Sequence, residues 1–233
     1  MNKITYYKVG GTVRDELMGV IPKDLDLVAI GGNFSDMCID IENKGGKIFL
    51  KQEPFLTIRC LFPNVGPCDV RLARKDGAYG DGRRPDEVFI ADSLLEDSLT
   101  RDFTINAMYK NLETGEIIDY HDGKKDLENK LIRCVGDTKE RFKEDYLRVL
   151  RAARFSLTKG MFLSSDIKRY LDDKSIVDGL QSVSAERIRE EVHKCFKHDS
   201  AVAVFFFSFY GLLANEVFNE RTGIWLKPTM EAK

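Results

Sequence analysis

The 233-residue sequence predicts an α+β fold, in which a small mixed β-sheet with helices is followed by an all-helical domain. In the first half, runs with the two-residue alternation of strands are separated by turns and short helical segments. From about Lys139 onward, apolar residues recur instead at three- and four-residue spacings, which is typical of helices. We therefore predict two domains, one over residues 1–133 and one over residues 134–233.

The first domain is predicted element by element from these patterns. Its strands are predicted at 5–9, 25–30, 47–50, 56–62 and 68–72, with a closing hairpin at 105–109 and 116–120. Helices are predicted at 14–18 and 34–43, because glycines follow both segments. A stretch rich in glycine and charge at 75–86 is predicted to be a loop.

The second domain is predicted to consist of helices. Leu147, Leu150 and Phe155 have the spacing of one helix. Further helices are predicted at 166–171, 185–196 and 201–213. A hydrophobic content of 43% is enough for a proper core in a chain of this length.

Charge and composition exclude several classes of protein. A net charge of −2 is not that of a nucleic-acid coat protein, so any RNA binding requires a local basic patch. Five scattered cysteines without a CxxC pair argue against a zinc site. No signal-peptide pattern is present, and the apolar run 201–210 is too short to cross a bilayer. We expect a cytoplasmic protein without a membrane partner; the sequence does not indicate an oligomeric state.

A glycine pair opens the first predicted helix. Gly10 and Gly11 allow backbone N–H groups to approach an anionic ligand closely, and Arg14 adds a positive charge one turn later. This arrangement predicts a phosphate-binding turn. The alternative interpretation is a plain helix start with a solvated pair of Arg14 and Asp15.

Carboxylates on predicted strands indicate a metal site. Alternation along the strand sends Asp24 and Asp26 to one face, where two carboxylates can share the divalent cations of in-line phosphoryl transfer. Asp69, on another strand, is a candidate third carboxylate. The alternatives are a polar strand edge for the first two and a surface pair of Asp69 with Arg71.

Two further segments combine cations with carboxylates. Arg101 and Asp102 precede an apolar strand, where polar groups usually bind a ligand or an internal partner. Later, one carboxylate and three arginines recur every three residues, which on a helix gives neighbouring members a shared face: Asp145, Arg148, Arg151 and Arg154. A solvated salt-bridged face is the alternative, yet such groups also bind nucleobase edges and phosphates.

Together these motifs resemble the nucleotidyltransferases that include class II CCA-adding tRNA nucleotidyltransferases and bacterial poly(A) polymerases. The resemblance extends from Gly10 to about Glu191. It is carried by seven motifs: GGTVRDELMG, DLDLV, DGRRPDEV, TRDFTINAM, IIDYHDGKKDL, EDYLRVLRAARF and AERIREE. It implies a five-stranded nucleotidyltransferase head followed by a helical neck.

The resemblance also implies roles for these residues. Asp24 and Asp26 would hold two Mg²⁺ ions, and Gly11 and Arg14 would contact the triphosphate of ATP or CTP. The other implied nucleotide-binding residues are Arg101 and Asp102 near the ribose, Asp145 and Arg148 at the base, and Arg151 and Arg154 lining the pocket. The RNA partner would be a tRNA 3′ end, to which CCA is added.

The sequence departs from the family pattern in three respects. Thr100 replaces the first of two usual arginines, and Tyr146 replaces a usual proline. The chain also resembles a short form without the body and tail segments that grip tRNA. An adenosine-only enzyme is one alternative, although the GRRF-like element of poly(A) polymerases is absent from residues 45–49. A catalytically silent nucleotide- or RNA-binding module is the other.

Overall fold

A computed structural model describes residues 3–77 and 87–225 of the chain. These residues form two units. The first contains residues 3–77, 87–129 and 134–136, and the second contains residues 130–133 and 137–225. The proposed domain limits, 1–133 and 134–233, stay a prediction. Residues 78–86, most of the predicted 75–86 loop and of the DGRRPDEV motif, lie outside the described part of the chain.

A mixed β-sheet forms the centre of the first unit. Its strands are β1 (Thr5–Val9), β2 (Asp26–Ile30), β3 (Lys47–Gln52), β4 (Thr57–Phe62), β5 (Gly66–Leu72), β8 (Met108–Asn111) and β9 (Ile117–Asp119). They are arranged in the order β3-β4-β5-β2-β1-β8-β9. Among the described strands of this sheet, β2 and β5 are the only parallel neighbours, and the other pairs are antiparallel. A separate ribbon pairs β6 (Arg74–Asp76) with β7 (Val88–Ile90), so the predicted loop begins with a strand.

Within the described residues, the first unit has four α-helices: α1 (Gly11–Leu17), α2 (Phe34–Asn43), α3 (Leu94–Ser98) and α4 (Gly123–Glu128). Helix α2 has the predicted limits, because Asn33 and Asp36 form a capping box at its start. Helix α1 begins three residues earlier than predicted, since Gly10 adopts a φ of +65° and serves as its N-cap.

Apolar residues of alternate strand positions pack on one face of the sheet. Leu27, Ile58 and Val70 are buried there together with Met37 and Ile41 of α2. The opposite face near β2, β5 and β4 carries the intervening residues, which include the charged ones. The sheet therefore separates this core from the face on which the predicted site residues lie. A second, smaller buried cluster, which includes Val28, Leu94 and Tyr109, lies on that second face.

The second unit is mainly helical. Its helices are α5 (Thr138–Glu144), α6 (Leu147–Lys159), α7 (Ser165–Tyr170), α8 (Lys174–Val177), α9 (Ala185–His198), α10 (Ser200–Phe209) and α11 (Gly211–Val217). A short parallel pair joins β10 (Leu131–Ile132) to β11 (Phe162–Leu163). The predicted helix 201–213 is broken at Tyr210, whose φ of −120° and ψ of 76° are not helical. The N–H of Leu212 then donates to the Asp172 carboxylate at 3.1 Å.

The predicted fold class is confirmed: a mixed sheet with helices is followed by a helical unit. The head implied by the resemblance has five strands, whereas this sheet has seven. The difference is the hairpin of β8 and β9, which extends the edge at β1. Within the described residues, no single helix has both the length and the apolar composition to cross a membrane; α10 and α11 reach that threshold only as a pair, bent by 119°.

Candidate active site

Charged side chains of three neighbouring strands form one row on the open face of the sheet. The parallel register of β2 and β5 pairs Asp26 with Asp69, and the antiparallel register of β5 and β4 pairs Asp69 with Arg59. A cleft of about 300 Å³ opens at this row. Its lining residues are Lys23, Asp24, Leu25, Arg59, Pro67, Cys68 and Asp69. Two of the three predicted carboxylates therefore line one cleft, and the third is the register partner of Asp69.

Asp69, the predicted third carboxylate, is bound by Arg59. Nε and Nη2 of Arg59 each donate to one carboxylate oxygen of Asp69, both at 2.8 Å. The alternative that Asp69 pairs with Arg71 is wrong, because Arg71 donates to Asp97 instead. The Asp69 side chain is 38% exposed, so it can be reached from solvent.

Asp24 lies in a bend before β2, so the prediction that it belongs to the strand is wrong. The cause is Thr12, the second residue of α1. Its buried hydroxyl donates to the Asp24 carbonyl at 3.2 Å and accepts from the Asp26 N–H at 2.9 Å. The start of α1 therefore holds the backbone of both predicted metal ligands.

Asp26 lies in a crowded electrostatic environment. Partial burial of its carboxylate raises its pKa, Arg101 opposes the rise, and Asp69 and Asp24 add to it. The described residues contain no group of three or more His, Cys, Asp or Glu side chains arranged to bind a metal ion. Carboxylates therefore lie close together here, but the described side chains do not by themselves form a complete metal-binding site.

Arg14 is held in a buried hydrogen-bond network. Its Nη1 donates to Oδ1 of Asn106 at 2.7 Å, and Nδ2 of Asn106 donates to Oδ1 of Asp102 at 3.0 Å. The predicted alternative of a solvated pair with Asp15 is wrong, because that pair forms but Arg14 is only 6% exposed. Asp102 is likewise buried, at 8% exposure. Asn106 thus joins two predicted nucleotide-binding residues.

Backbone at the glycine pair lies against two guanidinium groups. A Cβ on Gly10 would lie 3.7 Å from Nη1 of Arg101, and one on Gly11 would lie 3.3 Å from Nη2 of Arg14. The positive φ of Gly10 further disfavours a side chain at this turn. The structure therefore brings Gly10, Gly11, Arg14 and Arg101 together.

Sequence reasoning missed Asp97, the residue that positions Arg101. Its side chain is fully buried, and Oδ2 accepts from Arg101 Nε and Nη2 and from the Tyr109 hydroxyl. Oδ1 accepts from Arg71 Nη2 at 2.9 Å and from the Arg74 N–H at 3.0 Å. The sequence signal that could have indicated this ion pair is the four-residue spacing between Asp97 and Arg101, which brings two side chains together on a helix.

The charges of this cluster shift one another's pKa values. Burial opposes ionisation of Asp97, but Arg101 and Arg71 outweigh it and hold the pKa of that carboxyl well below its usual range. Burial lowers the pKa of Arg71 to about 10, and neighbouring Arg101 adds to the decrease. All three groups are therefore charged at neutral pH.

In the second unit, the predicted helical stripe does not start at Asp145. This residue has an extended backbone, with φ −148° and ψ 101°, and helix α6 begins at Leu147. Asp145 Oδ2 accepts from Arg187 Nη2 at 3.0 Å. Arg148 donates to Glu144 at 2.7 Å and to the Arg141 carbonyl at 3.0 Å. The predicted pair of base-reading residues is thus held by ion pairs with other residues.

The two later arginines of the stripe contact Phe155. Its ring centre lies 4.1 Å from the Arg154 guanidinium carbon and 5.6 Å from that of Arg151. Arg154 also pairs with the buried Glu191 of α9. Burial opposes ionisation of Glu191, but Arg154 outweighs it, so the pKa of this carboxyl is lowered. Arg154 therefore also has a structural role between two helices.

Both substituted family positions have defined contacts. Thr100, at the usual arginine position, donates its N–H and hydroxyl to the Asp97 carbonyl at 3.0 and 2.8 Å. Tyr146, at the usual proline position, packs its ring against Gly179. A Cβ on Gly179 would lie within 2.1 Å of that ring, so glycine is required while tyrosine stands at 146.

Several known proteins are similar to this chain in fold and sequence. Residues 6–133 match the family described as the Poly A polymerase head domain. The CCA-adding enzymes of Bacillus pumilus and Leuconostoc citreum are 35% and 37% identical, over 82% and 81% of this chain. The structure resembles the CCA-adding enzyme of Bacillus stearothermophilus in complex with CTP, with a TM-score of 0.79, 28% identity and 94% of this chain covered.

A second similar structure is the CCA-adding enzyme of Thermotoga maritima complexed with tRNA_CCA. Its TM-score is 0.75 at 25% identity, over 93% of this chain. In each case the chain spans about half of the relative: 46% and 44% of the two enzymes compared by sequence, and 51% and 49% of the two structures.

Asp26→Asn is expected to raise the unfolding temperature at pH 7. Because the folded state raises the pKa of Asp26, it binds the proton more tightly than the unfolded chain does. Ionisation therefore costs stability, which falls as pH rises through the raised pKa, and asparagine removes that dependence. Thermal unfolding between pH 4 and 8 measures how the unfolding temperature depends on pH, with Asp92→Asn as the exposed control. An Asp26→Asn protein less stable than wild type at pH 7 would contradict the conclusion that the folded state disfavours the ionised Asp26 carboxylate.

Asp97→Asn, in contrast, is expected to lower the free energy of unfolding. Removing one partner of a buried ion pair leaves Arg71 and Arg101 without their counter-charge, which costs about 3–5 kcal/mol. Denaturant unfolding at pH 7 measures the loss against the same Asp92→Asn control. Stability within about 0.5 kcal/mol of wild type, the range of ordinary surface substitutions, would show that Asp97 is not the anchor of this cluster.

Proposed function

This chain belongs to the family of the Poly A polymerase head domain, and from that membership we propose that it is a metal-dependent RNA 3′-end nucleotidyltransferase. Its proposed reaction adds CCA to tRNA, using CTP and ATP, in the cytoplasm. The observation that carries the proposal is the cluster of Asp24, Asp26 and Asp69 in the first unit, which also contains the glycine turn with Arg14 and Arg101. The names and complexes of the similar enzymes support the substrates.

Asp24 and Asp26 are the proposed Mg²⁺ ligands. Carboxylate oxygens are hard donors of the kind Mg²⁺ prefers. Burial is the main cause of the raised pKa of Asp26, and a bound divalent cation would stabilise the ionised form of this carboxyl. Bound Mg²⁺ would neutralise phosphate charge and align the reacting oxygens. Thr12 supports this role, since its hydroxyl fixes the backbone at both aspartates.

The remaining groups of the first unit have separate proposed tasks. The Gly10–Gly11 turn, Arg14 and Arg101 hold the triphosphate and ribose. Asp69 takes the proton of the RNA 3′-hydroxyl. The hydroxyl oxygen then forms a bond to the α-phosphorus of the nucleotide, and the bond from that phosphorus to pyrophosphate breaks. Arg59 binds both oxygens of Asp69, and each oxygen keeps a second lone pair that can accept the proton.

Base selection is proposed for the second unit. Asp145 and Arg148 offer acceptors and donors that match the polar edges of cytosine and adenine. Their partners Arg187 and Glu144 limit the side-chain conformations available to them. Arg151 and Arg154 are the proposed cationic lining beside the nucleotide.

A primer-extension assay tests the function as a whole. The protein is incubated with tRNA transcripts that end at the discriminator base, at C and at CC, each with one labelled nucleoside triphosphate and Mg²⁺. We expect CTP to extend the first two transcripts and ATP the third. Extension by ATP alone would identify an adenosine-only enzyme, and no extension would identify a silent binding module.

Asp24→Ala and Asp26→Ala are each expected to abolish transfer. Losing a carboxylate ligand removes several kcal/mol of transition-state stabilisation, about 10³-fold or more in rate. Single-turnover extension of the CC-ending transcript measures the loss, with Asp92→Ala as the exposed control in the same unit. Turnover like that of wild type in either variant would exclude that aspartate as a metal ligand.

Asp145→Ala is expected to relax nucleotide choice more than it slows ATP addition. A bidentate contact to a base edge contributes roughly 1–3 kcal/mol of discrimination, so UTP or GTP use should rise about 5- to 150-fold relative to ATP. Competition assays with nucleotide pairs measure this ratio. Asp166→Ala, which removes an exposed ion pair of the second unit, is the control. An unchanged ratio would mean that Asp145 serves only its ion pair with Arg187.

A further inference from the structure

Arg71 is a cation of the open sheet face to which the family resemblance assigns no role. It lies two residues after Asp69 on β5, so both side chains leave the strand on the same face. Its register partner on β2 is Val28, two residues after Asp26. Arg71 therefore lies one row along the sheet from the carboxylates proposed to act in catalysis.

The guanidinium of Arg71 is only partly used by the protein. Among the residues that the structure describes, its hydrogen-bond partner is Asp97, reached through Nη2 at 2.9 Å. A guanidinium has five N–H donors, so most of those of Arg71 remain for another acceptor. The side chain is 21% exposed, so a ligand on this face can reach it.

Arg71 and Arg101 share one carboxylate. Asp97 accepts from Arg71 through one oxygen and from Arg101 through the other. Two cations share one hydrogen-bonded carboxylate at a largely buried position, and the charge of nearby Asp26 offsets part of their excess. A bound anion would offset the remainder. Arg101 also lies against the Gly10 turn, so this excess charge adjoins the proposed phosphate-binding backbone.

We propose that Arg71 is a phosphate-binding residue, which together with Arg101 holds the triphosphate of the incoming nucleotide. The inference rests on the proposed function, because that function supplies the triphosphate. A guanidinium fork matches two phosphate oxygens, and Asp97 orients both arginines for that contact. The RNA 3′ end also carries phosphates, so the test separates the two sources.

The test compares ligand affinities of wild type, Arg71→Gln and Arg71→Lys in Mg²⁺ buffer. Calorimetric titrations use CTP, inorganic tripolyphosphate, cytidine and a CC-ending tRNA transcript. Because a hydrogen bond to a charged group contributes strongly, we expect Arg71→Gln to weaken CTP and tripolyphosphate binding about tenfold or more. Cytidine and RNA affinities should stay unchanged. Arg71→Lys, which keeps the charge without the fork, should recover part of the loss.

Lys125→Gln is the control, because it removes an exposed positive charge elsewhere in the first unit. Wild-type tripolyphosphate affinity in Arg71→Gln would overturn the inference. So would a loss confined to RNA, or one spread equally over all four ligands as a structural defect would be. Should Arg71→Gln fail to fold, the Arg71→Lys variant tests the inference through the same comparison of its affinities for the four ligands with those of wild type. A wild-type protein that binds tripolyphosphate but transfers no nucleotide would contradict the proposed function, while the Arg71 comparison still stands.

Discussion

The buried carboxylate of Asp97 is the interaction on which the arrangement of the first unit depends. It receives donors from β5, β6, β8 and the segment after α3, so elements distant in sequence converge on one side chain. Burying a charge without partners costs free energy, so the folded state is stable only when these donors all bind the carboxylate. The same convergence fixes Arg101 beside the glycine turn. Stability and the geometry of the candidate site therefore have a common origin.

The parallel pair of β2 and β5 imposes a second constraint. Its register sets Asp26 beside Asp69, although like charges repel at that distance. Arg59 offsets part of this repulsion by holding Asp69. The pKa of Asp26 is raised mainly by burial, and the charge of Asp69 adds to the increase. Such an arrangement sacrifices stability for a concentrated negative potential, as is common where proteins bind cations.

Local signals allowed much of the fold to be predicted. Helix α2 was predicted at its observed limits from the glycines that follow it, and the structure adds a capping box at its start. The break at Tyr210 was not predicted, since the apolar pattern continues across it and only the distant Asp172 reveals it. For the site, Gly10, Gly11, Arg14 and Arg101 were predicted and lie together. The pairing of Arg59 with Asp69 could not be read from sequence, because strand register alone brings them into contact.

The contact between Tyr146 and Gly179 couples two positions that are far apart in the chain. The tyrosine ring fills the space that any side chain at 179 would need. A proline at position 146 would have no aromatic ring there, so this particular restriction on the size of residue 179 would be absent. The two positions should therefore covary across the family: an aromatic residue at one requires glycine at the other.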